Sequence, residues 1–205
     1  MEKVEKAFEL IENESIYRGF FSLSRIRLRH TLFGGGWSES LDRELFHRGR
    51  SVAVIPYDPV ADQVVLIEQF RVGAMFVNGD PWLLEIVAGA FEEGESAEDV
   101  AYREACEEAG CEIRHLVRIA EFFPTPGGCS EKITLFCGII DSRGLGGVHG
   151  LGEEHEDILV RVSSFDQVME WLNQGRIEAA IPIIGLQWLA LNRDRLRTAY
   201  SRSLI

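Results

Sequence analysis

Residues 97–109 (AEDVAYREACEEA) constrain this chain more than any other segment, because they read as a helix whose charges sit on the wrong side. Ser96 is a good N-cap, Glu98 and Asp99 complement the N-terminal dipole, and Gly110 is a C-terminal stop. At about 100° per residue, Ala97, Val100, Ala101 and Ala105 form one apolar arc. Glu104 and Glu108 fall inside that arc, Glu107 lies at its edge, and Tyr102, Arg103 and Cys106 occupy the far side. A solvated acidic helix would place its carboxylates opposite the apolar residues. Glu104 and Glu108 are also an i,i+4 like-charge pair, which costs about 0.2–0.5 kcal/mol even when exposed, and burial raises the cost. A hard divalent cation compensates such a pair: Mg2+ takes oxygen ligands and uses a few carboxylates plus substrate phosphates. Arg103, next to Glu104, can orient a carboxylate from behind.

The charge distribution singles out the same segment. The formal charge is −12, with 33 acids against 21 Lys and Arg. Residues 92–112 hold nine acids and one base, and residues 153–157 (EEHED) hold four more acids, so the remainder is balanced. An acidic chain is not expected to bind nucleic acid or anionic lipid, both of which need a basic face. No signal-peptide core and no long apolar run is visible. The four cysteines (Cys106, Cys111, Cys129, Cys137) form no C-x-x-C pair, which suits free thiols in a reducing cytoplasm.

Around the carboxylate helix the pattern alternates between strands and helices. From Ser24, Arg25, Arg27 and Arg29 alternate with Ile26 and Leu28, as in a half-exposed strand, and residues 37–47 form a plausible returning strand. A sheet this small is marginal alone and should pack on the rest of the chain or on a second copy. After Arg48, strands are expected at 51–59, 63–73, 82–89, 117–123, 132–140 and 157–164. Helices are expected after the Ser164 cap, up to Gly175, and around 183–192. The chain therefore reads as α+β, or a mixed α/β sandwich, at 46% hydrophobic composition.

The spacing Gly89, Glu95, Arg103-Glu104, Glu107-Glu108, Gly110 resembles the Nudix box, G-x5-E-x7-R-E-U-x-E-E-x-G-U, with Ala105 and Cys111 where a larger aliphatic is usual. Beyond the box, YRGFFSL, LDRELFHRG, TPGG-x-SE, HGL-x-E-x-x-ED and LQWL resemble the bacterial ADP-ribose pyrophosphatase branch of the Nudix hydrolases. The resemblance implies an α/β/α sandwich at residues 49–205 and a small N-terminal β-rich domain at 1–48, exchanged between the subunits of a homodimer. It implies Mg2+- or Mn2+-dependent hydrolysis of ADP-ribose to AMP and ribose 5-phosphate, with two or three ions per site. Pro126, fifteen residues past the box, stands where the branch tends to mark ADP-ribose specificity.

Carried over residue by residue, the Ala88 carbonyl, Glu104, Glu108 and Glu156 would ligate metal, and Glu107 would lie beside them. Arg103 would hold the catalytic carboxylates, and Glu154, after the Gly-rich stretch 144–152, would be the general base. Arg43 and Glu44, with Phe20 as an adenine platform, would bind substrate; Arg71 would contact phosphate and Glu131 the terminal ribose. A pyrophosphatase for another nucleotide sugar, such as GDP-mannose, would carry the same box. A hydrolase of oxidised nucleoside triphosphates would lack the N-terminal extension, and a non-catalytic Nudix-like sensor would carry a damaged box and a basic module.

Overall fold

The computed structural model describes residues 5–77 and 80–201, apart from the side chain of Glu154. The chain divides into two compact units, Met1–Arg50 with Phe123–Lys132, and Ser51–Phe122 with Ile133–Ile205.

The first unit is a three-stranded antiparallel sheet of β1 (Phe8–Arg18), β2 (Ser22–His30) and β3 (Leu41–His47), in that order. The Arg25, Arg27 and Arg29 alternation becomes a cross-strand ladder. Arg25 meets Glu14 at 3.0 Å, Arg29 meets Glu9 at 2.6 Å, and Arg27 bridges Glu12 at 3.4 Å and Asp42 at 2.9 Å. β1 does not alternate in sequence, because two register shifts, between Leu10 and Glu12 and between Ser15 and Tyr17, reset its phase. Residues 123–132 run alongside β3: the Phe46 N–H donates to the Gly128 carbonyl at 2.8 Å, and the Ser130 N–H to the Phe46 carbonyl at 3.0 Å. The sequence does not announce this grouping, because the link to β3 is made by backbone groups that any residues carry.

The second unit holds β4 (Arg50–Asp58), β5 (Gln63–Phe70), α1 (Val72–Met75), β6 (Trp82–Glu85), β7 (Val87–Ala90), α2 (Ala97–Ala109), β8 (His115–Phe122), β9 (Lys132–Ile139), β10 (Gly147–His149), β11 (Ile158–Ser164), α3 (Phe165–Asn173) and α4 (Ala180–Tyr200). Its sheet runs β10-β11-β5-β4-β9-β8, with β6 on β5 and β7 on β4. The central strands are apolar on both faces because both faces are covered. Ile55, Leu66 and Leu135 pack with Val168 of α3 and Leu186 and Leu189 of α4, while Val54, Ile67 and Phe136 pack with Val100, Ala101 and Ala105 of α2. The α+β reading, with helices on both faces of the sheet, therefore holds.

Several boundaries differ from expectation, among them three that matter to the site and its frame. The apolar run at 82–89 is two strands, not one, since Trp82–Glu85 pairs with β5 and Val87–Ala90 with β4. The strand from Gln63 stops at Phe70 and gives way to a short helical turn. The last helix extends to Tyr200, well past Asn192, because Arg193 and Arg197 reach back to Asp62 and Leu196 is buried.

Candidate active site

α2 forms where its capping signals put it. The Ser96 hydroxyl accepts from the Asp99 N–H, the Asp99 carboxylate accepts from the Ser96 N–H, and Gly110 closes the helix at φ +60°. The helix lays Val100, Ala101, Ala105 and Ala109 on the sheet, and Glu108 goes with them. Glu108 is only 3% exposed, and its carboxylate accepts the Ala88 N–H at 2.9 Å.

Burial is the main force on this carboxyl. It pushes the pKa up to about 8, with the Glu104 and Glu156 charges adding to the rise and the Ala88 N–H and Arg71 charge opposing it. Glu104 is raised as well, again by burial first, against the pull of Arg103. Glu104 lies across the backbone of the box glycine: a Cβ on Gly89 would come within 1.6 Å of Glu104 Oε1. Gly89 is therefore a seat for a carboxylate, a role that its place in a strand does not suggest.

Arg103 departs from the helical wheel. It sits on the face opposite the apolar arc, yet its long stem brings the guanidinium back into a half-buried cluster. Its Nε and Nη2 donate to the two Glu95 oxygens at 2.8 and 3.0 Å. Nη1 reaches Glu104 at 2.7 Å and Glu107 at 3.2 Å, and Nη2 also donates to the Ala90 carbonyl at 3.0 Å. Glu95, held by this fork and by the Glu92 N–H, is pulled down to about 2. One cation thus fixes three carboxylates and the strand that precedes the helix.

The other acidic cluster meets this group electrostatically. Glu156 is half-buried, raises the pKa of both Glu104 and Glu108, and accepts the Leu151 N–H at 3.2 Å. Glu154 ends a short 3-10 turn, Gly152–Glu154, and its side chain lies outside the described residues. Arg71 sits near enough to lower Glu108 and is held by Glu85 at 2.7 Å, which also accepts from Gln69 at 3.4 Å. Sequence pattern alone does not single out Glu85; its signal is a lone acid inside the apolar run WLLEIVAG.

The remaining expected recognition residues belong to the other unit. Phe20 is 95% exposed and stacks edge-on against Phe21 at 4.7 Å. Arg43 and Glu44 are exposed on β3, with the Arg43 guanidinium donating to the Asp42 carbonyl at 2.8 Å. Glu131 is nearly buried, with Arg48 at 3.4 Å.

Among the described residues, no three His, Cys, Asp or Glu side chains converge as a ready-made cage. What the site offers is a buried carboxylate with like-charged neighbours and one backbone donor. That chemistry suits a hard cation that keeps waters and takes part of its coordination from a phosphate ligand, and it suits a fully caged soft metal poorly. Glu104, Glu108 and Glu156 are the side chains that could hold it.

Comparison with known proteins shows the family. A family model described as the NUDIX domain matches residues 47–180. The chain is 47% identical over 193 residues to the ADP-ribose pyrophosphatase of Escherichia coli K12, covering 94% of this chain and 92% of that protein. It is 46% identical over 198 residues to that of Haemophilus influenzae, covering 95% and 91%. The GDP-mannose pyrophosphatase of Cronobacter sakazakii is 35% identical over 185 residues, covering 89% and 95%. A crystal structure of an ADP compounds hydrolase superposes with a TM-score of 0.71 at 20% identity, covering 98% of this chain and all of that one, a likeness of fold. The box whose glycine seats Glu104 and whose arginine fixes three carboxylates lies wholly within the matched span, and the chain belongs to the Nudix family.

Proposed function

We propose that this protein hydrolyses the pyrophosphate bond of ADP-ribose, adding water across one P–O–P linkage to release AMP and ribose 5-phosphate. One observation carries the choice of substrate: the 47% identity to ADP-ribose pyrophosphatase extends over 94% of the chain, so it includes the N-terminal unit as well as the box. The GDP-mannose pyrophosphatases, at 35% identity or below, define the second reading.

Two or three Mg2+ ions, or Mn2+, bound by Glu104, Glu108, Glu156 and the Ala88 carbonyl, would neutralise the pyrophosphate and lower the pKa of the attacking water. Arg103 keeps Glu104 and Glu107 in place through its fork. Glu154 accepts the water proton as general base. Arg71, held by Glu85, binds a phosphate oxygen, for which a guanidinium is well shaped. Phe20 offers its exposed ring to adenine, with Arg43 and Glu44 contributing from β3 and Glu131 on the ribose. The exposed apolar side chains of the first unit, Phe8 at 79% and Tyr17 at 62%, favour a homodimer in which this unit is exchanged between subunits. The four free thiols suit a cytoplasmic enzyme.

The test is hydrolysis of ADP-ribose and GDP-mannose side by side with Mg2+ in 18O-labelled water. Preferential turnover of ADP-ribose is expected, and the labelled product identifies the phosphorus attacked. Preference for GDP-mannose would overturn the substrate assignment, and no phosphate-ester product from either would overturn the hydrolase reading. Sedimentation velocity reads the dimer, and a monomer at micromolar concentration would remove the exchanged arrangement.

A further inference from the structure

The stretch from Gly147 to Glu156 is tied to the box helix at points that the proposed chemistry does not itself require. β10 pairs with β11, with His149 opposite Ile158. The His149 ring lies on the end of α2, where a Cβ on Gly110 would come within 2.8 Å of His149 Cε1. The Nε2 of the same ring is 3.1 Å from the Gly146 carbonyl, which fixes its orientation. One residue on, the Gly150 N–H donates to the Glu107 carbonyl at 3.3 Å. Gly150 has φ +99°, and a Cβ there would come within 2.7 Å of Glu156 Cβ. The neck is closed from the other side by the Glu156 N–H, which donates to the Leu151 carbonyl at 3.2 Å, and by the Leu151 N–H on the Glu156 carboxylate.

These contacts share a consequence. The helix that carries Glu104 and Glu108 and the loop that carries Glu154 and Glu156 are separate stretches of chain, and β10 holds the second against the first. The backbone of this stretch reaches α2 through the Gly150 N–H. The ring on Gly110 adds a second, side-chain point of contact, which can seat only where the helix ends in a residue without a side chain. Gly110 is therefore needed twice, for its left-handed backbone and for the space above it.

We propose that His149 is a positioning residue, whose ring on Gly110 sets the register of residues 150–157 against the box helix and so aligns the two carboxylate groups. This rests on the reading that both groups serve the hydrolysis. The role is one step removed from that of a group that orients metal ligands by touching them, whose loss usually costs about 10–100-fold in activity or metal affinity.

The experiment compares the wild type with His149→Ala, His149→Phe and Gly110→Ala, and with the His149→Ala Gly110→Ala double variant. Hydrogen exchange of amides 150–157 and ADP-ribose turnover with Mg2+ are both read. In His149→Ala, faster exchange confined to this loop is expected, with kcat about 10–100-fold lower and KM within about threefold. His149→Phe, which restores a flat ring, should recover most of both. Gly110→Ala should be less damaging in the His149→Ala background than in the wild type, because the clash has gone. Unchanged loop exchange and kcat within twofold of wild type in His149→Ala would overturn the proposal, and so would a loss that Phe does not restore. If the wild type itself fails to turn over ADP-ribose, the hydrolase reading fails, and the exchange measurements alone decide whether His149 positions the loop.

Discussion

Glu104 rests on the α-carbon of Gly89, at a separation that leaves no room for even a methyl group between them. Gly89 sits in β7 opposite Val52, without a left-handed backbone, so alanine satisfies the backbone there and acts only through Glu104. Gly89→Ala is expected to keep a far-ultraviolet circular dichroism spectrum like the wild type while lowering kcat about a hundredfold, the usual effect of a misplacement of about 1 Å at reacting groups. Turnover within fivefold of wild type would show that the Glu104 position is not needed.

Glu108 pits stability against function. Its carboxyl is buried beside the charges of Glu104 and Glu156, so without a cation the fold must either carry the buried charge or hold a proton well above the ordinary carboxyl range, and a neutral side chain relieves that cost. Glu108→Gln keeps the size and an acceptor for the Ala88 N–H. In chelator-treated protein it should melt above wild type, by roughly 2–4 °C per kcal/mol released, and its Mg2+-dependent turnover should be nearly abolished. Calorimetry with and without Mg2+ checks both halves; a variant that melts lower than wild type without metal contradicts the account of the buried charge.

The box was legible because its chemistry contradicts the hydrophobic pattern: carboxylates at 104 and 108 within an apolar arc have few explanations. Capping by Ser96 and Gly110 was legible for the same local reason. Two other features were hidden because they depend on tertiary partners. The β1 strand is broken by two bulges and exposed throughout, so neither period nor burial marks it. The half-buried placement of Arg103 follows from five hydrogen bonds to groups at positions 90, 95, 104 and 107, and a wheel drawn on one helix cannot contain them.

The tie between α4 and the β4–β5 turn gives a pH dependence with a definite sign. Asp62 accepts from the Tyr57 hydroxyl at 2.6 Å and is paired with Arg193 and Arg197. Burial pushes its carboxyl up, but these partners together outweigh it and leave the pKa below the ordinary value of 3.8. A carboxylate depressed in the fold stabilises it above the unfolded pKa, and that contribution is lost as pH falls through the folded value. Asp62→Asn should therefore cost about 2–3 kcal/mol near neutral pH, below the range for a fully buried pair, and the difference should shrink below pH 3.8. Asn tolerates the positive φ of 57° at this position, which keeps backbone strain out of the comparison. Urea titrations from pH 7 to pH 3 measure it, and a gap that stays constant across that range would remove the ion pairs as its cause.

Glu85 offers a way to separate binding from chemistry. It holds the Arg71 guanidinium at 2.7 Å and takes a second bond from Gln69, so it sets the direction in which Arg71 points. The Arg71 charge pulls Glu108 down less than burial and the Glu104 and Glu156 charges push it up, so moving Arg71 disturbs the carboxylate group little. If Arg71 binds a phosphate in the ground state as well as in the transition state, Glu85→Gln raises KM for ADP-ribose about five- to tenfold, equal to about 1–1.4 kcal/mol, and leaves kcat nearly unchanged. Arg71→Ala should raise KM further, and adding Glu85→Gln to it should have little additional effect, because the carboxylate acts through the arginine. Steady-state kinetics on the three variants decide the matter. A fall in kcat at unchanged KM in Glu85→Gln would instead place Arg71 among the groups that act only in the transition state.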